Sequence, residues 1–201
     1  MNIINLTNVR SNRIMGWLPP TRRTLTFDGQ SRFLALPYQI IYFDQVDRHV
    51  PVTMIGSAKT IESAGYFTPR IMFTQTEPTP DTPLVGLPLP CVYDTGHVCN
   101  TFVNYQDKND LLNNLKAGAV AIFQSDWSTS DGYPWSQRYT YKNEFVTYLQ
   151  KKTRRKGEDI PTILGMWEKV SKKDPNFILT VPLLKPTQVK TVQNLFTNTK
   201  I

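Results

Sequence analysis

The chain has few of the residues from which catalytic and metal sites are usually built. It contains two cysteines and two histidines in 201 residues. Two cysteines cannot form a scaffold of several disulfide bridges, and two histidines leave little material for a Ser-His-Asp hydrolase. Gly-rich phosphate loops and paired catalytic carboxylates are missing from the sequence as well. We therefore expect no bound cofactor, and free thiols in a reducing compartment such as the cytoplasm.

Long apolar runs are also missing. No window approaches the ~18 uninterrupted apolar residues that a membrane-spanning helix needs. Residues 1–7 lack a basic segment followed by an apolar run, so we expect neither a secretory signal nor a membrane partner. The composition is nevertheless 40% hydrophobic and 11% aromatic, which is enough to bury a core and excludes a wholly disordered protein.

The charge is distributed unevenly along the chain. Residues 1–141 contain 11 basic and 11 acidic side chains, whereas residues 142–201 contain 12 basic and 5 acidic ones and so carry the whole formal charge of +7. The densest part is a run of five cations around one threonine: Lys151, Lys152, Arg154, Arg155 and Lys156. This run predicts a contact with a polyanion such as nucleic acid, or else a solvated helix end whose dipole favours cations.

The pattern of apolar residues predicts a mixed α+β fold. Strand candidates are dense in β-branched and aromatic residues and lie at 32–43, 50–55, 70–75 and 176–184. Pro37 interrupts the first of them and favours an edge position or a bulge. Helix candidates have apolar residues at helical spacing and lie at 107–120, where Gly118 ends the pattern, at 142–156 and at 162–173. We expect an antiparallel sheet of about four strands with helices on one face.

The two ends of the chain are polar and contain few candidate core positions. We therefore predict an extended N-terminal arm over 1–30, a single α+β domain over 31–184 with a basic helical part from about 142, and a polar C-terminal tail over 185–201. Such ends would be loose in an isolated monomer and would become ordered against neighbouring subunits.

A proline-rich segment precedes the two cysteines. Residues 78–90 hold five prolines, namely Pro78, Pro80, Pro83, Pro88 and Pro90. Proline fixes φ and has no N–H, so the segment can be neither a helix nor a central strand. We predict a stiff, extended surface segment that leads into Cys91 and Tyr93, followed by a tight turn at Asp94–Gly96.

Residues 78–99, PTPDTPLVGLPLPCVYDTGHVC, resemble protein B of the PRTRC cassette, a family of bacteria and mobile elements. The family's segment runs from Thr-Pro-Leu through Asn-Val-Tyr to a glycine and a cysteine, and its members are similar to ubiquitin-conjugating enzymes. Those enzymes carry a histidine-proline-asparagine motif, on which Pro90 matches the proline. Gly96 and Cys99 match the later glycine and the catalytic cysteine, with the spacing kept. The resemblance implies a ubiquitin-conjugating-like scaffold.

Two departures from that motif concern the chemistry rather than the fold. Leu89 stands at the histidine position and Cys91 at the asparagine position. In the conjugating enzymes the asparagine orders the loop and can donate to a developing oxyanion. A thiol is a poor donor and does neither well.

Cys99 is the candidate nucleophile. The resemblance implies thioester exchange, in which a thiolate attacks an activated acyl group and an amine then attacks the thioester. His97 lies two positions away and would project to the same face of an extended backbone. Alternatively, Cys99 is a small buried hydrophobe. A zinc site from Cys91, His97, Cys99 and His49 matches no standard ligand spacing, so we expect no metal.

Three functions follow from these patterns. The first is a non-catalytic interaction or assembly module of phage or mobile-element origin, acting with other protein subunits in a virion or another large complex. The second is a thioester-forming carrier that uses Cys99 and His97. The third is a nucleic-acid-associated protein that uses the basic C-terminal part.

Overall fold

The computed structural model describes residues 2–3, 13–44, 66–67, 69–93, 95–98, 103–104, 110–129, 143–186 and 189–197. Several predicted features lie outside these residues. They are the strand candidate at 50–55, His49, Asp94 and the candidate nucleophile Cys99.

The described chain is a mixed α+β fold, as predicted. Its strands are β1 (Asn2–Ile3), β2 (Arg13–Leu18), β3 (Thr21–Phe27), β4 (Gln30–Leu36), β5 (Tyr38–Asp44), β6 (Tyr66–Phe67), β7 (Arg70–Thr74), β8 (Val103–Asn104) and β9 (Asp126–Trp127). Its helices are α1 (Leu111–Gln124), α2 (Glu144–Thr153), α3 (Ile160–Lys173) and the one-turn α4 (Asn194–Thr197), with a 3-10 helix at Pro175–Leu179.

The strands are divided among separate sheets. In the main sheet the order is β1-β2-β5-β7, and all pairs are antiparallel. In a second sheet the order is β4-β3-β9, and β6 pairs with β8. Pro37 lies between β4 and β5, at the point where the chain passes from the second sheet to the main one. A residue that cannot donate to a ladder suits such a junction.

Residues 13–30 are not an extended arm, so that part of the prediction is wrong. β2 pairs with β5 from Arg13 to Leu18, and β3 and β4 form a hairpin. The hairpin turn consists of Asp28 and Gly29, both with positive φ, as a two-residue turn requires. The alternating Leu25 and Phe27 are buried, which explains why this polar-looking stretch joins the sheet.

The main sheet has apolar side chains on both faces. Ile41 and Phe43 belong to the main core together with residues of α1, α2 and α3, whereas Ile40 and Tyr42 belong to a second cluster. Residues two apart in a strand share a face, so the two clusters lie on opposite sides of β5. A sheet that is apolar on both faces needs a covering layer on each.

The C-terminal segment, defined as residues 189–197, supplies part of the second cluster. Val189, Val192 and Leu195 pack there with residues that include Met15 and Met72. The prediction of a loose polar tail over 185–201 is therefore wrong for this segment. Three apolar residues spaced three apart, Val189, Val192 and Leu195, stand in a largely polar stretch, and they are too few to mark the segment as buried from the sequence alone.

The helix predictions hold in part. The two basic helices begin and end close to the predicted residues, as α2 and α3. α1 begins later than predicted, because Asp110 caps it, and it continues through Gly118 to Gln124. The predicted strand at 176–184 is wrong, because Asp174 caps a 3-10 helix there by accepting from the N–H of Asn176 at 3.0 Å.

Candidate functional site

The proline-rich segment forms an irregular ribbon along the edge of β7. The N–H of Val85 donates to the carbonyl of Phe73 at 2.8 Å, and the N–H of Ile71 donates to the carbonyl of Gly96 at 2.7 Å. Because proline has no N–H, the ribbon offers few donors for further pairing. It therefore ends the sheet on this side and does not pair with a further regular strand. As predicted, the ribbon is neither helical nor part of a central strand.

The prediction of a surface segment is wrong for residues 84–90 of the ribbon, which are buried, whereas residues 79–81 and Pro83 are exposed. On the side away from β7, the N–H of Gly86 donates to the carbonyl of Leu184 at 2.7 Å and that of Leu84 to Lys190 at 2.9 Å. Pro88 and Pro90 are buried, whereas Pro83 is exposed and bridges to Thr191. The ribbon is enclosed because Leu184, Lys190 and Thr191, which come much later in the sequence, lie along its outer edge.

The predicted turn ends the ribbon. The N–H of Gly96 donates to the carbonyl of Tyr93 at 2.8 Å, and the N–H of Tyr93 donates to the carbonyl of His97 at 2.9 Å. Gly96 has a φ of +73°, and a Cβ built on it would lie 2.6 Å from the carbonyl oxygen of Ile71. The hydroxyl of Tyr42 donates to the carbonyl of Thr95. Glycine is therefore needed here both for its backbone angle and for its lack of a side chain.

Cys91 is 6% exposed and has a φ of +62°. Its thiol donates to the carbonyl of Ser128 at 3.5 Å. A buried thiol that is engaged with a carbonyl is inert compared with an exposed one, because the thiolate would lose solvation. This geometry is that of a packing residue.

His97 is half-buried beside the turn, and its ring centroid lies 5.5 Å from that of Tyr93. Burial, and then the charge of Arg70, lower the pKa of His97 below its ordinary value. The imidazole is therefore neutral at pH 7, which is the form that can accept a proton. Its distance to Cys99 is outside what the structure describes.

The basic segment, defined as Lys151, Lys152, Arg154, Arg155 and Lys156, lies at the end of α2. All five side chains are exposed, whereas Thr153 between them is buried. The hydroxyl of Thr153 donates to the carbonyl of Leu149 at 2.8 Å and fixes the last turn of the helix.

The chain after α2 is folded back onto the helix. Arg154 ends the helix in the left-handed conformation with a φ of +57°. The side chain of Gln150 donates to the carbonyl of Gly157 at 3.1 Å. The backbone that carries Arg155 and Lys156 is thus held against the end of α2.

Sequence reasoning missed a pair of acidic residues in two facing loops. The carboxylate of Asp126 accepts from the N–H of Gly29 at 3.0 and 3.1 Å, and that of Asp28 accepts from the N–H of Thr129 at 3.0 Å. These bonds join the β3–β4 turn to the loop that contains β9, so the pair is structural. Within the described residues no group of three metal-ligating side chains occurs.

Comparison of the chain with protein-family models, with curated proteins and with solved structures gives no match. The resemblance to PRTRC protein B and to conjugating enzymes stays a prediction that rests mainly on residues 78–99. In the part of the chain that the structure describes, no helix combines the length and apolar character needed to cross a bilayer.

Proposed function

We propose that the chain is a non-catalytic interaction and assembly module of phage or mobile-element origin on a ubiquitin-conjugating-like scaffold. In this proposal it is a structural component of a virion or another large complex. The observation that carries the proposal is the burial of Cys91 and of the ribbon around it. The position that would hold the oxyanion donor in a conjugating enzyme is occupied here by a side chain that packs.

The ribbon's backbone supports the same conclusion. The amide of Val85 bonds to β7 on one side, and those of Gly86 and Leu84 bond to Leu184 and Lys190 on the other. Donors that are already bonded on both edges cannot turn toward a developing oxyanion without breaking those bonds. The ribbon therefore acts as a sheet edge, and in this proposal the scaffold is kept without the loop chemistry of the enzymes.

Thiol reactivity tests the non-catalytic part of the proposal. Cys91→Ser leaves only Cys99, and Cys99→Ser leaves only Cys91, so the pair of variants assigns the labelling by a chromogenic disulfide reagent across pH. We expect slow labelling of both native variants below pH 8, and acceleration by denaturant. Rapid labelling of Cys99 well below pH 8 would contradict the proposal and support the thioester carrier.

The assembly part needs a separate measurement. Cells that naturally produce the chain are cross-linked and fractionated by size, and the chain is followed by mass spectrometry. We expect it in a particle far larger than a monomer, cross-linked to the same partner chains in repeated preparations. A chain that migrates entirely as a monomer would refute a structural role in a complex.

A further inference from the structure

We propose that the basic segment binds the phosphate backbone of nucleic acid. This inference rests on the proposed function in one respect, because it names a partner for a module that does no chemistry. It concerns a surface distinct from the ribbon and its turn. The charge run alone allows this reading, and the structure adds three observations that favour it.

The first observation is the lack of local counter-charges. None of the five cations forms an ion pair with another residue that the structure describes. The nearest acidic residues in the sequence follow at Glu158 and Asp159, and the carboxylate of Asp159 already caps α3 by accepting from the N–H of Thr162 at 2.9 Å. Lys152 lies over the ring of Tyr148 at 5.5 Å, and no described carboxylate neutralises the charge of the five cations, so their field can act on an external anion.

The second observation concerns the position of the cations relative to the helix end. The dipole of a helix favours cations in its last turn, and this accounts for Lys151 and Lys152. It does not account for Arg155 and Lys156, which lie beyond the end of α2 and are exposed. The bond from the side chain of Gln150 to the carbonyl of Gly157 holds the backbone that follows these two residues against α2.

The third observation separates nucleic acid from a lipid surface. Among the described residues, Val120 on α1 is the exposed large hydrophobic side chain, and none adjoins the basic segment in the sequence. Peripheral membrane binding usually combines basic residues with apolar side chains that insert at the interface. The two exposed arginines carry planar guanidinium groups, which pair with phosphate oxygens two at a time, so the contrast with a lipid surface rests on the missing apolar side chains.

The test compares two variants that lose the same charge. In the site variant, Lys151→Gln, Arg155→Gln and Lys156→Gln remove three cations of the basic segment while Arg154 keeps its helix-ending conformation. In the control variant, Lys169→Gln, Lys173→Gln and Lys185→Gln remove three exposed lysines from elsewhere. Binding to a fluorescein-labelled DNA duplex is followed by anisotropy over a range of salt concentrations, and circular dichroism verifies the fold of each variant.

We expect wild-type affinity to fall with salt, with a logarithmic slope of about −0.9 for each phosphate contacted. The site variant should lose about two to three units of that slope and at least about tenfold in affinity at 0.1 M salt. The control variant should keep the wild-type slope. An equal loss in both variants would overturn the assignment of the site.

Other outcomes would also overturn the proposal. One is the absence of salt-dependent binding to duplex or single-stranded DNA and RNA. Another is preferential binding to vesicles that contain phosphatidylserine. Thiol labelling and particle size do not depend on the basic segment. A negative DNA-binding test would therefore leave the proposed assembly role standing. A negative labelling or particle-size test would leave the proposed nucleic-acid site standing.

Discussion

Two glycines with the same backbone angle have different surroundings. Gly29 and Gly96 both have a φ of +73°. A Cβ at Gly29 would meet nothing within 4 Å, whereas a Cβ at Gly96 would lie 2.6 Å from the carbonyl oxygen of Ile71 and 3.0 Å from the side chain of Met72. The first glycine is needed only for its angle, and the second is needed for the angle and for the close approach of β7.

We predict that Gly96→Ala lowers the free energy of unfolding considerably more than Gly29→Ala. The left-handed conformation alone should cost about 1–2 kcal/mol in either variant. The clash with the backbone of Ile71 adds to it only in Gly96→Ala, since the neighbouring strand must shift. Urea unfolding of the two variants measures the difference. Equal losses of unfolding free energy would show that a Cβ at position 96 does not clash with β7.

The lowered pKa of His97 predicts that the free energy of unfolding depends on pH. Burial, followed by the charge of Arg70, lowers its pKa in the folded state, so the unfolded state binds a proton more readily. Stability should therefore be unaffected by this residue above the unfolded pKa of about 6.5 and should fall as the pH drops through it toward the lower folded pKa.

Replacement of His97 by glutamine tests this dependence. Chemical unfolding between pH 7.5 and 5 should show a smaller slope of unfolding free energy against pH in His97→Gln than in the wild type. The window lies above the ordinary pKa values of carboxylates, which limits their contribution. Unchanged slopes would mean that the imidazole is solvated enough to titrate normally.

At the scale of elements, α3 closes the open edge of the second sheet with side chains. The N–H of Ala35 in β4 donates to the hydroxyl of Ser171 at 2.9 Å, and the indole of Trp167 donates to the carbonyl of Ala35 at 3.1 Å. The N–H of Phe33 donates to Glu168 at 3.3 Å. An edge whose backbone groups are bonded in this way cannot pair with another strand. The proline ribbon has the same effect on β7.

We predict that Ser171→Ala lowers the free energy of unfolding by about 1–3 kcal/mol, because it leaves the buried N–H of Ala35 without its acceptor. Ser125→Ala is the matched control. Its hydroxyl donates at 2.7 Å to the carbonyl of Ala121, so its loss orphans no described donor. Thermal or urea unfolding should show a smaller loss for the control. If the two losses are equal, the edge bond contributes little.

At the scale of the whole molecule, one face of the main sheet is covered by the C-terminal segment. The C-terminal segment reaches the ribbon through three backbone hydrogen bonds, from Leu84 to Lys190, from Val192 to Thr82 and from Gln193 to Pro80. Its apolar residues then lie over Met15, Ile40, Tyr42 and Met72. Without this segment, an apolar face of the sheet would be left open to water.

We predict that Val192→Asp detaches the C-terminal segment. Val192 is fully buried, and an unpaired carboxylate is expelled from such a place. Hydrogen exchange should become faster at the amide of Leu84, which donates to Lys190, and a dye that binds apolar surface should fluoresce more strongly. The neighbouring exposed residue supplies the control, Gln193→Asp, which should leave both readouts unchanged. Unchanged exchange in Val192→Asp would contradict the covering role.

Features with local causes were determined by the sequence alone. The α+β class, helices α2 and α3, strand β7 and the bend at Gly96 depend on apolar spacing, capping residues and glycine or proline geometry, all of which lie within a few residues. The cluster of cations was likewise visible in the sequence, because charge is a property of composition. The 3-10 helix at 175–179 had a local signal too, in Asp174 and Pro175, which its apolar residues obscured.

Only the tertiary structure decided which segments are buried. The ribbon is an edge enclosed on both sides because Phe73 and Lys190, from distant parts of the chain, meet it there. The strands at 13–27 and the segment at 189–197 join the fold for the same reason, since sparse apolar residues acquire a role only when a partner surface is near. Burial depends on pairs of surfaces, whereas a sequence pattern describes one surface at a time.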